Sequence, residues 1–309
     1  MPTAFAPSNI ALIKYWGKRD SKLNLPNTDS LSISLGNKGT STTIEFSEAL
    51  DHYEVNGTAI TPDMAFTKRL KAFLDLHRPT GVFYNVSTVN NIPTAAGLAS
   101  SASGFAALSL ALNELHQWNL NLTQLSVLAR LGSGSACRSL WHGFVKWQQG
   151  KRPDGLDSHG VPLNTDWPEL RVGLLILSTS EKALSSREAM QRTIETSKRY
   201  QTWPNQVHDD LVQLEWALAT QEFELLGQIA ERNALAMHAT MEDSLPPTVY
   251  STHETLAARQ LVWQCRKEGI PVYFTQDAGP NLKLLFLAED QAKILAYFPK
   301  LEVIIPTQH

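Results

Sequence analysis

Apolar residues along this chain recur at two spacings. Alternation and short apolar runs predict strands over Ile10–Ile13, Ser30–Leu35, Thr42–Phe46 and Val82–Val89. Asn56-Gly57 predicts a hairpin within Asp51–Ile60, because that pair suits a tight two-residue turn. Helical spacing occurs over Asp63–His77, where Leu70, Phe73 and Leu74 share a face, and again through Phe105, Leu108, Leu112 and Leu115. A short helix is expected over Thr123–Leu131 with Thr123 as its N-cap. After a Gly-, Pro- and Asp-rich stretch, Gln148–Pro168, a buried strand is expected over Arg171–Leu177. Helices follow: one opening at Ser185-Ser186-Arg187, then Gln206–Thr220, Glu222–Met237 and Glu254–Lys267. Strands Pro271–Thr275 and Leu282–Leu287, a helix over Asp290–Phe298 and a strand over Glu302–Ile305 complete the pattern. That order predicts an α+β protein with a boundary in the loop, units 1–168 and 169–309, and a ferredoxin-like second unit.

Composition narrows the class. With 18% charged and 43% hydrophobic residues over 309 positions, the chain has enough apolar mass for substantial cores. A net charge of -3 and no basic run argue against nucleic acid as a partner. The longest apolar stretch, Val172–Leu177, is too short to cross a membrane, and the N-terminal residues carry no export signal. Cys137 and Cys265 are the only cysteines, too few for a disulfide scaffold, and no Cys/His spacing suits zinc. The expectation is a cytoplasmic protein acting on small molecules.

Candidate chemistry begins at Asn90–Gly104, a stretch of small uncharged residues in which only Ile92 and Leu98 have bulk. Pro93 starts it as a loop, Gly97 permits close backbone approach, and Ser100, Ser101 and Ser103 lead into a helix. Free N–H groups at such a helix start favour an anion, and hydroxyls can bind Mg²⁺. Close helix packing explains small residues equally well, and no Walker sequence is present. A second run, Gly132-Ser133-Gly134-Ser135-Ala136-Cys137-Arg138-Ser139, lacks the third glycine and the preceding strand of a dinucleotide fingerprint. It suits either an anion cradle with Arg138 as a bidentate donor or a helix-ending turn. Lys14 and Lys18 close the first apolar strand, where buried charge is costly without a ligand or partner. Lys18 also fits a surface lysine laying its stem along apolar surface. Asp277 sits in a Gly-Pro turn between two apolar strands, as a turn former or as a cleft acid. His238 has no nearby acid or nucleophile signature and reads as structural.

Four segments together resemble one family. Asn9-Ile10-Ala11-Leu12-Ile13-Lys14-Tyr15-Trp16-Gly17-Lys18, Asn90–Gly104, Gly132–Arg138 and Asp277-Ala278-Gly279-Pro280-Asn281 are similar to the mevalonate diphosphate decarboxylases. These belong to the superfamily of galactokinase, homoserine kinase, mevalonate kinase and phosphomevalonate kinase. Met237-His238-Ala239-Thr240 and Ser244-Leu245-Pro246-Pro247 extend the likeness along nearly the whole chain.

The resemblance implies a ribosomal protein S5 domain 2-like N-terminal domain, a ferredoxin-like C-terminal domain and a site in the cleft between them. It implies that ATP phosphorylates the 3-hydroxyl of mevalonate 5-diphosphate, and that phosphate and CO₂ then leave to give isopentenyl diphosphate. By the same likeness Pro93, Ala95, Ala96, Gly97, Leu98, Ser100, Ser101 and Ser103 would hold ATP with Mg²⁺, and Ser101 would be a metal ligand. Asn9, Tyr15, Lys18, Ser133, Gly134, Ser135, Ser186 and Arg187 would hold the substrate. Asp277 would face the 3-hydroxyl, Lys14 would pair with it, and Arg138 would orient the carboxylate. A homodimer is the family expectation. The alternatives are phosphomevalonate decarboxylase or mevalonate 3-kinase activity on the same fold, and, more remotely, a non-catalytic sensor binding ATP and a polyol.

Overall fold

The computed structural model describes residues 1–92, 100–180 and 184–306. It begins with a long strand, β1 (Thr3–Ile13), followed by the short pair β2 (Lys18–Asp20) and β3 (Leu25–Pro26). Next come β4 (Ser30–Ser47), the hairpin β5 (His52–Val55) and β6 (Thr58–Ala59), helix α1 (Ala65–Asp75) and β7 (Phe83–Asn90). Asn56 and Gly57 both have positive φ, 51° and 75°, as the expected hairpin turn requires. Helices α2 (Ser100–Leu115) and α3 (Leu122–Gly132), a 3₁₀ turn over Gly134–Arg138, and strands β8 (Phe144–Trp147) and β9 (Gly160–Leu163) complete the first half.

One seven-stranded sheet carries this half, in the order β6-β5-β7-β4-β8-β9, with β1 also paired to β4. The two strands expected over Ser30–Leu35 and Thr42–Phe46 are one. Gly36-Asn37-Lys38-Gly39 has turn composition, yet β1 pairs with both halves of β4, from Thr3↔Thr43 to Ile13↔Leu31. Gly39 makes the join possible, because a Cβ there would lie 2.1 Å from the Ala6 carbonyl oxygen. The N-cap of the short helix is Asn121, two residues before the expected Thr123. Asn121 accepts from the Gln124 N–H while the Gln124 side chain returns to the Asn121 N–H, a complete capping box. Within the expected loop Gln148–Pro168, β9 adds a strand to the sheet edge through pairs such as Trp147↔Gly160.

The second half opens with β10 (Leu170–Leu175), then α4 (Ser186–Thr196), α5 (Trp203–Thr220), α6 (Phe223–Glu242) and α7 (His253–Lys267). Strands β11 (Tyr273–Gln276) and β12 (Leu282–Leu287), helix α8 (Gln291–Tyr297) and β13 (Glu302–Ile304) follow. Four antiparallel strands form its sheet, in the order β11-β12-β10-β13. One apolar cluster spans both halves. It joins Ile10, Leu12, Leu31 and Ile33 of the first sheet to Val172, Leu174 and Leu284 of the second through Leu226 and Ile229 of α6. A smaller cluster lies between α1, α2 and α3, where Gly132 meets Phe105 so closely that a Cβ would sit 2.1 Å from its ring. Close packing is therefore the role of that glycine.

Candidate active site

The site forms where the end of β1 meets the β11–β12 turn. Lys14, 1% exposed, donates from Nζ to Asp277 Oδ1 at 2.8 Å and to the Ala11 carbonyl at 2.8 Å. Its backbone N–H donates to Asn233 Oδ1 at 2.8 Å, and the Asn233 amide in turn donates to Asp210 Oδ2. Asp277 is held from behind as well, since its carbonyl accepts from Gly279 N–H at 2.7 Å and from His238 Nε2 at 3.2 Å. Asn233 and His238 both lie on α6, which contacts β1 and β11. One helix thus sets both members of the pair.

A third side chain completes this cluster. Lys283, on β12, donates from Nζ to Asp277 Oδ2 at 3.0 Å. Burial by itself would raise the Asp277 carboxyl, but the ammonium groups of Lys14 and Lys283 override it and hold the group well below the usual carboxylate range. Burial lowers the Lys14 ammonium to about 8, with Asp277 offsetting part of the effect. His238 is pushed down to about 3 by burial and by Arg259 and Lys14, so its ring is neutral and supports the Asp277 backbone.

Arg138 stands at the end of the 3₁₀ turn, 2% exposed. Its guanidinium donates to Ser30 Oγ and to Asn9 Oδ1, and lies over the Trp147 ring at 5.8 Å. Asn9 is fixed in turn by donating to Ser139 Oγ at 2.7 Å and to the Ser135 carbonyl. No carboxylate pairs with Arg138 among the described residues, which leaves its charge available to an anion. Tyr15 packs edge-on against Trp147 at 4.7 Å, and its buried hydroxyl has no hydrogen-bond partner among the described residues. Gly134 lies directly opposite, for a Cβ there would be 2.9 Å from that hydroxyl.

The two small-residue segments converge. Ser101 Oγ lies 3.3 Å from Ser133 Oγ, so the start of α2 faces the start of the 3₁₀ turn. Ser100 opens α2, while Pro93, Ala95, Ala96, Gly97 and Leu98 lie outside the described residues. Ser103 is fully buried, and its hydroxyl bonds Ser8 at 3.1 Å and Thr40 at 2.7 Å, bracing the helix against β1 and β4. Lys18 donates to Asn24 Oδ1 at 2.6 Å, and burial lowers it to about 8, aided by Arg187 and Arg69. Arg187 lies in the first turn of α4, after the half-buried Ser186 and the capping box of Ser185 and Glu188.

Sequence reasoning missed Lys283, Asn233 and Arg69. Lys283 carried a legible signal, a lysine inside the apolar run Leu282–Leu287, where burial demands a partner. Arg69 carried none. It lies on α1 beside the Phe66 and Phe105 rings, and burial lowers it to about 10, with Arg187 adding to the effect. Lys18, Arg69 and Arg187 thus form a cationic group drawn from β2, α1 and α4.

The chain is similar to known proteins over nearly its whole length. Residues 6–160 match the diphosphomevalonate decarboxylase-like N-terminal domain, and residues 172–306 match the mevalonate 5-diphosphate decarboxylase C-terminal domain. Diphosphomevalonate decarboxylase of Aspergillus fumigatus is 39% identical over 93% of this chain and 77% of its own length. That of Saccharomyces cerevisiae is 37% identical over 97% and 81%. The solved complex of MDDEF with MVAPP, AMPPCP and magnesium superposes with a TM-score of 0.93 at 40% identity, covering 98% of this chain and 96% of that one. Mevalonate diphosphate decarboxylase from Staphylococcus aureus gives 0.93 at 34% identity over 99% and 96%. With both halves matched and the Lys14–Asp277 pair formed between them, the chain belongs to the diphosphomevalonate decarboxylase family, with that family's two-domain fold.

Proposed function

We propose that this chain catalyses the ATP-dependent decarboxylation of mevalonate 5-diphosphate to isopentenyl diphosphate, with release of ADP, phosphate and CO₂. The observation that carries the reading is the buried Lys14–Asp277 pair, set beside an arginine without a carboxylate partner and two converging hydroxyl-rich turns. Phosphoryl transfer needs positioning and charge neutralisation more than covalent help, and this site is rich in both.

Asp277 is not a strong base. A carboxyl near pKa ~3.9 cannot deprotonate an alcohol comparable to water at about 15.7, and two lysines weaken it further. Its part is to accept a hydrogen bond from the 3-hydroxyl, align that oxygen, and take the proton late, as the phosphoryl group arrives. Lys14 stabilises the transferring phosphoryl group, and Arg138 orients the carboxylate until it departs as CO₂. Tyr15, Lys18, Arg187, Ser186 and the Ser133-Gly134-Ser135 turn hold the diphosphate end, with Asn9 fixing Arg138. Mg²⁺ keeps most of its shell from phosphate oxygens and water, so a single hydroxyl such as Ser101 fits it. Bound there, it would neutralise phosphate charge.

We further propose that the division between domains falls near residue 168, that the protein is cytoplasmic, and that it forms a homodimer. Among the described residues no helix is long and apolar enough to cross a membrane.

The test is an endpoint assay with purified protein and Mg-ATP, offering mevalonate, its 5-phosphate and its 5-diphosphate separately, and following ADP and CO₂ together. Equal ADP and CO₂ from the diphosphate alone is the expected result. ADP without CO₂ would make the protein a kinase, and activity on the 5-phosphate would move its substrate. Nucleotide binding with no turnover of any of the three would leave a sensor.

A further inference from the structure

Lys283 has no part in the roles set out above, yet it is among the most deeply buried charges in the molecule. It is 2% exposed and sits mid-sheet, opposite Thr275 of β11 on one side and Leu174 of β10 on the other. Its backbone is therefore fixed from both flanks. Its ammonium meets Asp277 Oδ2 at 3.0 Å while Lys14 takes Oδ1 at 2.8 Å. Each carboxylate oxygen is bound by a lysine from a different half of the molecule, so turning the carboxylate breaks both bonds. Neither lysine pairs with a second acid among the described residues.

We infer that Lys283 is a positioning residue for Asp277: it fixes the plane of the carboxylate and keeps it ionised when Lys14 turns to the transferring phosphoryl group. The inference rests on the proposed roles of Asp277 and Lys14. With Lys14 as sole partner, the acid would lose its only cation at the moment it must hold the hydroxyl. Lys283 removes that conflict, because it touches Asp277 from the side away from Lys14. The other groups facing Asp277 do not substitute for it. His238 of α6 meets only its backbone carbonyl, Arg138 acts on it through space while its hydrogen bonds go to Asn9 and Ser30, and Arg259 of α7 is spent on Gln276 at 2.6 Å.

Full-length protein with ¹³C-labelled aspartate carboxyls, the Asp277 signal being assigned with Asp277→Asn, would decide this. In the native protein the Asp277 signal should stay in its ionised position to the acid limit of the folded state. In Lys283→Met a protonation step of Asp277 should appear within the pH range of the folded protein, and Lys283→Arg should restore the native behaviour. In parallel, Lys283→Met should lower kcat by roughly 10- to 100-fold, the usual effect of losing the group that orients a functional side chain, with KM for the diphosphate unchanged. An unmoved Asp277 titration with unchanged kcat would overturn the inference. So would a raised KM with an unmoved titration, which would put Lys283 on the substrate. If Lys283→Met does not fold, Lys283→Gln carries the same readouts. If the native protein releases no CO₂, the proposed function falls, while the carboxyl titration still settles whether Lys283 governs Asp277.

Discussion

Lys14 and Lys18 are both held at about 8 by burial, and in the proposed mechanism they serve opposite ends of the substrate. Each must be protonated to act on an anion, so raising the pH above 8 removes both charges in the free protein. The expected kcat/KM profile falls above about pH 8 with a slope approaching two. The kcat limb should lie at higher pH, because bound phosphate raises a neighbouring lysine. A single-slope limb shared by both parameters would contradict this pairing. Asp277→Asn keeps the volume and removes the charge, so CO₂ release should drop by at least ~10³ while substrate affinity, read by calorimetry, stays within a few-fold. Near-native turnover would remove Asp277 from the mechanism. Gly17 is a matter of space: φ is 120°, and a Cβ would lie 1.7 Å from the Tyr200 hydroxyl, which itself donates to the Trp16 carbonyl. Gly17→Ala should cost roughly 2–5 kcal/mol in denaturant unfolding and displace the segment that carries Lys14 and Lys18.

Elements show where sequence reading succeeds and where it stops. Apolar periodicity located α1, α2 and α7 and the strands of the second sheet, because each buries one face and the spacing records that face. It split β4 in two, because Gly36-Asn37-Lys38-Gly39 resembles a turn while Gly39 lets β1 approach, and which strand approaches is not a local property. The site divides in the same way. Lys14, Arg138 and Asp277 lie in motifs contiguous along the chain. Asn233 and Lys283 reach the site only through the position of α6 and the register of β12; the apolar run around Lys283 signals a buried partner without saying which, and Asn233 has no local signal. The start of α4 permits a test at this scale. Ser185 accepts from the Glu188 N–H, and Glu188 accepts from the Ser185 N–H. Ser185→Ala should cost about 1 kcal/mol, mostly as local fraying. Since Arg187 lies in that first turn, KM for the diphosphate should rise while kcat holds; hydrogen exchange at 186–190 reports the fraying directly.

At the scale of the molecule, the two sheets share one apolar core beside the ionic cluster of Lys14, Asp277 and Lys283. Domains joined in this way do not swing freely. Thermal unfolding should therefore show one cooperative transition, and residues 1–168 and 169–309 made separately should each melt without one in circular dichroism. A sharp melt of either fragment alone would argue against a shared core. The same feature governs how the protein comes into being. Lys14 and Asp277 are 263 residues apart, so at 5–20 residues per second the ribosome delivers the acid roughly 13–53 s after its lysine. For most of that interval the face of β1 that packs on α6 lacks that helix, and the Lys14–Asp277 pair does not exist. A chain interrupted before Leu282 would lack β12 and part of the shared core, and cellular proteases would meet it as an unfinished product.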